Sequence, residues 1–167
     1  MPTQVYFFTS IACSLIMWSI LARSIWPELR IQATAEALRP LLILHSFRFI
    51  GLAFLVPGVV SPALPSSFAR AAAYGDLLAA ALAFVAFLLL PRGAGIAVAW
   101  IFNIWGTVDL LNAFYQAAHA GMLPGQLGAA YFLVALVVPL LLVTHVVIFR
   151  ILLPHAKPSV VRERRLA

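Results

Sequence analysis

The chain has 167 residues, 64% of them hydrophobic and 10% charged, with a formal net charge of +6. A soluble domain averages roughly 45–50% apolar and about 25% charged residues, so this composition excludes an ordinary water-facing surface and points to lipid as the solvent. The basic residues stand between apolar runs and in the C-terminal tail, a pattern that fits the positive-inside rule and speaks against nucleic-acid binding.

The first apolar run covers residues 5–26. No positive n-region precedes it and it exceeds a signal-peptide h-region, so it is expected to be a retained first span. Cys13 lies within it, and as the single cysteine it allows neither an intrachain disulfide nor a multi-thiolate metal site. Pro27 and Pro40 punctuate the chain before the second run, residues 40–60, PLLILHSFRFIGLAFLVPGVV. This run carries His45 and, one turn on, Arg48. A cation at the bilayer centre costs about 3 kcal/mol even on lenient scales, so Arg48 needs a partner, a wet cavity or a purpose. Pro57, inside the same run, is expected to kink it.

After SPALPSS at 61–67, a third run covers residues 69–90 and contains Asp76. Gly75, Ala79, Ala83 and Ala86 recur at three- and four-residue spacing, which lets helix backbones approach closely in lipid. A tight turn at 91–93 leads to the fourth run, residues 95–117, so the third and fourth spans are expected to be antiparallel neighbours. The fourth carries Asn103, Trp105, Asp109, Asn112 and Gln116. The fifth run, residues 127–153, follows GMLPGQ and holds Pro139 and His145. Pro139 is a second expected kink, able to free a carbonyl into a cavity.

The predicted fold is therefore an all-α integral membrane protein. Residues 1–154 form a single bundle of five transmembrane helices, and residues 155–167 form a basic tail. Placing the tail in the cytoplasm puts Arg23, Arg30, Arg39, Arg92 and Arg150 on the same side and only Arg70 opposite, with the N-terminus outside. Tyr6, Tyr74, Tyr115 and Tyr131 then fall near the outer interface, and Trp26 and Trp100 near the inner one. A bacterial cytoplasmic membrane is the expected location.

At 1.5 Å per residue the polar groups within the spans fall into two layers. His45, Arg48, Asn103 and His145 form an inner one, roughly 8–12 Å from the inner edge. Asp76 and Asp109 lie at about 20 Å, with Asn112 and Gln116 further out. Asp109, Asn112 and Gln116 occur at i, i+3 and i+7 and share one helix face, with Asn103 about 120° away. Two carboxylates that meet in a dry site cannot both ionise cheaply. A shared proton, a bound cation or a pairing with Arg48 would resolve the conflict.

The leading expectation is a ligand- or ion-binding site of Asp76, Asp109, Asn112, Gln116 and Arg48. It would take a proton, a cation or a small amphipathic ligand, within a transporter or transporter subunit. An alternative is haem b held by His45 and His145 for electron transfer, since two imidazoles from facing helices can ligate iron axially. A third reading is a structural subunit of a membrane complex. No HExxH, G-x-S-x-G, Walker or CxxC sequence occurs, so a non-enzymatic role is expected and no metal site is assigned. The expected partners are the lipid bilayer and either a second copy or a larger membrane complex.

Overall fold

The computed structural model describes residues 3–153, so the basic tail lies outside the described residues. The described residues are nearly all helical and contain no strand, and five of the helices are long and apolar enough to cross a membrane. We call the end of the bundle that carries the start of the first helix the upper end.

Helix α1, Thr3–Leu29, buries only Phe7 and Leu29 and lies against the outside of the fifth span. Two side chains tie it there: Ser10 Oγ to Tyr131 Oη at 3.0 Å, and Trp18 Nε1–H to the Leu136 carbonyl at 3.1 Å. The second span starts earlier than the sequence suggested. Helix α2 covers Thr34–Ser46 and carries Pro40 in its interior. The N–H that Pro40 lacks would have bonded the carbonyl of Glu36, in the exposed first turn, where its loss costs least.

The span then continues as a 3-10 helix over Phe47–Leu55, far longer than the usual three or four residues of such segments. Pro57 follows its end, in the upper loop, and kinks no span. Helices α3, Ser66–Leu89, and α4, Ala94–His119, pack along their length as antiparallel neighbours, through buried Ala72, Gly75, Ala79, Ala83 and Ala86 on α3 and Ala99, Phe102 and Gly106 on α4. Gly93, at φ +74°, turns the chain between them.

The fifth span is shorter than expected. Residues Pro124–Ala130 form a 3-10 turn at the upper end, Leu133–Val137 a π turn, and Val138–Leu152 the helix α5. Pro139 stands at the start of α5, directly after the π turn, where its missing N–H disturbs the helical ladder. The upper loops are stitched together: Ala129 N–H donates to the Val59 carbonyl at 2.8 Å, Ser61 N–H to that of Gln126 at 3.0 Å. Gly128, at φ +53°, makes this crossing, and a Cβ there would run into the Val59 carbonyl.

The apolar core divides in two. The lower part gathers Leu38, Leu42, Ala79, Ala83, Phe102 and Ile148. The upper part gathers Phe7, Phe54, Phe68, Ala73, Leu127 and Ala130. The buried polar residues His45, Arg48, Asn103, Thr144 and His145 occupy the chain positions between the two.

Candidate functional site

The 3-10 segment explains how Arg48 points inward. With three residues per turn, positions three apart eclipse one another. Arg48, Gly51 and Phe54 fall on the buried side, while Phe47, Phe49 and Ile50 are exposed. Arg48 itself is only 2% exposed, and an arginine so buried must place all its donors.

It does so by joining its own span to three others. Nε–H donates to Asp76 Oδ1 at 2.8 Å. Nη2 lies 2.6 Å from the same oxygen and 2.7 Å from Asp109 Oδ2. Nη1 reaches the Gly106 carbonyl at 3.4 Å and His145 Nε2 at 3.2 Å. The rigid guanidinium fork thus bridges two carboxylates that a lysine point charge cannot hold in the same way. The two polar layers expected from depth alone are in fact one network, because the arginine side chain spans the gap between them.

The tautomers follow from this network. A guanidinium only donates, so His145 Nε2 accepts and its proton sits on Nδ1. Nδ1–H then donates to Asn103 Oδ1 at 2.6 Å, and Asn103 Nδ2–H donates to the His145 carbonyl at 3.2 Å. The Thr144 hydroxyl donates to the Leu140 carbonyl at 2.8 Å and accepts from His45 Nε2–H at 2.9 Å. His45 Nδ1 is left as a buried acceptor without a partner among the described residues.

The rings of His45 and His145 pack against each other with centroids 4.4 Å apart, flanked by Phe102. A porphyrin ligated by both would have to lie between the rings, and rings in direct contact leave no gap for a macrocycle. Three of the four ring nitrogens are already hydrogen-bonded to protein. The geometry therefore removes the basis of the haem b reading.

Three glycines make room for the network. A Cβ on Gly51 would strike the Asp76 carboxylate, and one on Gly75 the Asp109 carboxylate. A Cβ on Gly106 would lie 2.6 Å from the His145 ring and 2.8 Å from Arg48 Nη1. Each charge has its glycine close in sequence: Gly51 after Arg48, Gly75 beside Asp76, Gly106 before Asp109. That pairing of charge and glycine was the signal available in the sequence, where Gly75 stood out only for helix packing.

The cluster carries one cation against two anions, a formal net charge of −1. Asp76 and Asp109 each spend one oxygen on Arg48; the other, Asp76 Oδ2 and Asp109 Oδ1, has no donor among the described residues. Asp76 lies ten residues into α3, about 15 Å from its upper end.

Both carboxylates line an apolar chamber of about 290 Å³ that extends between α1, α3 and α4 to the upper loop at Met122 and Pro124. A second space of about 250 Å³, between the 3-10 segment and the π turn, is lined by Arg48, Gly51, Asp76, Leu133 and Val137. Irregular backbone at membrane depth is tolerated where it is buried in protein or lines a cavity, and both irregular segments flank this one.

Asn112 and Gln116 do not join the network. On α4 the chamber is lined by Asp109, Leu110, Ala113, Phe114, Ala117 and Ala118, so the inward stripe runs i, i+1, i+4, i+5, i+8, i+9. Asn112 and Gln116 fall on the flank of that stripe. Asn112 is exposed in a shallow groove on α3 and α4 that it shares with Trp105 and Asp109. Asp109 stands where the two faces meet. Asn103 and His145, by contrast, belong to the network as Arg48's support.

The chain belongs to the family described as a domain of unknown function, DUF8737, whose model matches residues 6–153. No curated protein matches the chain, and no solved structure does.

Proposed function

We propose that this protein is an integral membrane protein of the bacterial cytoplasmic membrane, with its N-terminus outside and its basic tail in the cytoplasm. Its mid-bundle site of Arg48, Asp76 and Asp109 takes up a proton or a cation, and the protein acts as a carrier or as the binding subunit of one. The observation that carries this reading is the charge of the cluster. One guanidinium shared by two carboxylates leaves an uncompensated negative charge at membrane depth. Even on lenient scales an unbalanced charge there costs about 3 kcal/mol, so a proton or cation offsets it.

The chamber supports binding over a purely structural role. A packing subunit needs its charges to pair with one another and close the space around them. Here both aspartates pair with Arg48 and still line an open chamber. The tightly packed lower core, with Leu38, Leu42, Phe102 and Ile148, closes the path on the other side, as a carrier held open towards one face would.

The test is flux. Full-length protein is reconstituted into liposomes that enclose a pH-sensitive dye, and a proton gradient is imposed before sodium, potassium or an alkylammonium salt is added outside. Cation-dependent dissipation of the gradient is expected for the wild type and is lost in Asp109→Asn, which still inserts. Flux that persists unchanged in Asp109→Asn, or no flux with any of these cations, overturns the carrier reading.

A further inference from the structure

We infer that the upper chamber is a site for an organic ammonium ion with an aromatic or aliphatic body, its charge on Asp109 and Asp76 and its body among phenylalanines. The inference rests on the cation-binding reading above and names the class of cation.

The donor set argues first. Hard metal ions such as calcium take six to eight oxygen ligands, and magnesium keeps much of its water. The chamber offers carboxylate oxygens at one end and almost nothing polar elsewhere; among the described residues Gln4 is the only other polar side chain on its wall. No group of three or more His, Cys, Asp or Glu side chains among the described residues is placed to hold a metal. A metal ion entering this chamber loses its water without replacement. An ammonium ion needs fewer partners, and its alkyl or aryl body gains from the apolar wall.

The wall itself argues second. Phe7, Phe8, Phe54, Phe68 and Phe114 line the chamber, contributed by α1, the 3-10 segment, α3 and α4. Phe54 and Phe68 pack edge to face with centroids 5.7 Å apart, and both are buried. Aromatic rings attract cations through their quadrupole and bury apolar groups as well, and aromatic cages are a recurrent solution for ammonium groups. A wall of leucine would serve a neutral lipid equally well but would give nothing to a charge.

Charge and size argue third. The Asp109 side chain is 9% exposed and its Oδ1 has no donor among the described residues. Asp109 lines the chamber and belongs to a cluster of net charge −1. A neutral guest leaves the offsetting proton in place and gains nothing from that charge, and an anion is repelled by it. The volume of about 290 Å³ lies just below the roughly 300–1,000 Å³ typical of small-molecule sites, which fits a compact amine and not a phospholipid.

The experiment compares isosteres on full-length protein in nanodiscs by calorimetry. The probes are phenethylammonium, the neutral phenethyl alcohol, the anionic 3-phenylpropionate, and sodium and calcium chloride. Phenethylammonium is expected to bind about tenfold or more tightly than the alcohol, with no binding of the anion. Asp109→Asn is expected to abolish that preference, and Phe68→Leu to weaken ammonium binding more than alcohol binding. The isostere comparison uses wild-type protein alone, so it stands even if a variant fails to fold. Equal binding of alcohol and ammonium overturns the inference, as does a wild type that binds sodium or calcium and not phenethylammonium. Sodium-driven, Asp109-dependent proton flux without phenethylammonium binding would overturn this inference alone. Flux indifferent to Asp109 would overturn the reading beneath it.

Discussion

Arg48 is the residue on which the site's geometry turns. It holds two carboxylates, a backbone carbonyl and His145 from one buried guanidinium. Removing one partner of a buried ion pair leaves uncompensated charge, at a typical cost of about 3–5 kcal/mol. Arg48→Met is expected to destabilise the protein by about that amount in a denaturant titration in detergent. Arg48→Lys keeps the charge but loses the fork, and should recover only part of the loss. The glycines give a second test. Gly75→Ala and Gly106→Ala drive a methyl into the network and should each cost about 1–3 kcal/mol, as overpacking does. Gly125→Ala, where an added Cβ meets nothing within 4 Å, should be neutral by the same measurement. At this scale the sequence revealed which charges lie deep: Arg48, Asp76 and Asp109 were visible as ionisable residues inside apolar runs. Their union was harder to see, because depth was counted along helix axes while the long arginine side chain crosses from one depth to another. Asn112 and Gln116 were misplaced for a related reason. Spacing alone gives a shared face, but which face turns inward is set by neighbours, and here Leu110, Ala113 and Ala117 mark it.

The helices that matter most are the two that stop being α-helical. The 3-10 segment Phe47–Leu55 lines up Arg48, Gly51 and Phe54, so one short element carries the network's cation, one of its glycines and part of the chamber wall. The π turn Leu133–Val137 faces it across the second cavity. Its backbone is partly satisfied from outside, by the Trp18 indole on the Leu136 carbonyl. Trp18→Phe removes that donor and should lower stability by about 0.5–1.5 kcal/mol, the usual net value of one hydrogen bond, with a lower thermal midpoint. The prolines were only partial guides to these irregularities. Pro139 marks a real one, since its ring and missing N–H act inside the span. Pro57 marks only the end of the 3-10 segment, and Pro40 is absorbed in α2 because its lost bond falls in an exposed turn. The 3-10 segment itself has no proline within it, and Gly51 with the three-residue spacing of Arg48, Gly51 and Phe54 was its trace in the sequence.

The whole molecule is a set of five apolar helices with a polar seam at mid-height and a chamber above it. That plan was the most legible part of the sequence, because run length and composition respond directly to the thickness and polarity of a bilayer. The proposed orientation rests on the distribution of the arginines and is open to labelling. In a Cys13→Ala background, a cysteine at exposed Ser66 should react with an impermeant maleimide on intact cells, and one at exposed Gln32 only after permeabilisation; the reverse pattern would invert the topology. The claim beneath the functional reading is that the carboxylates hold a proton when the site is empty and release it to an incoming cation. The direct measurement is proton release from full-length protein in weakly buffered detergent solution as phenethylammonium is added. Acidification by wild type, absent in Asp109→Asn, is the predicted result, and binding at pH 6 should be weaker than at pH 8 because proton and cation compete. Binding without any proton release, at an affinity indifferent to pH, would contradict the account.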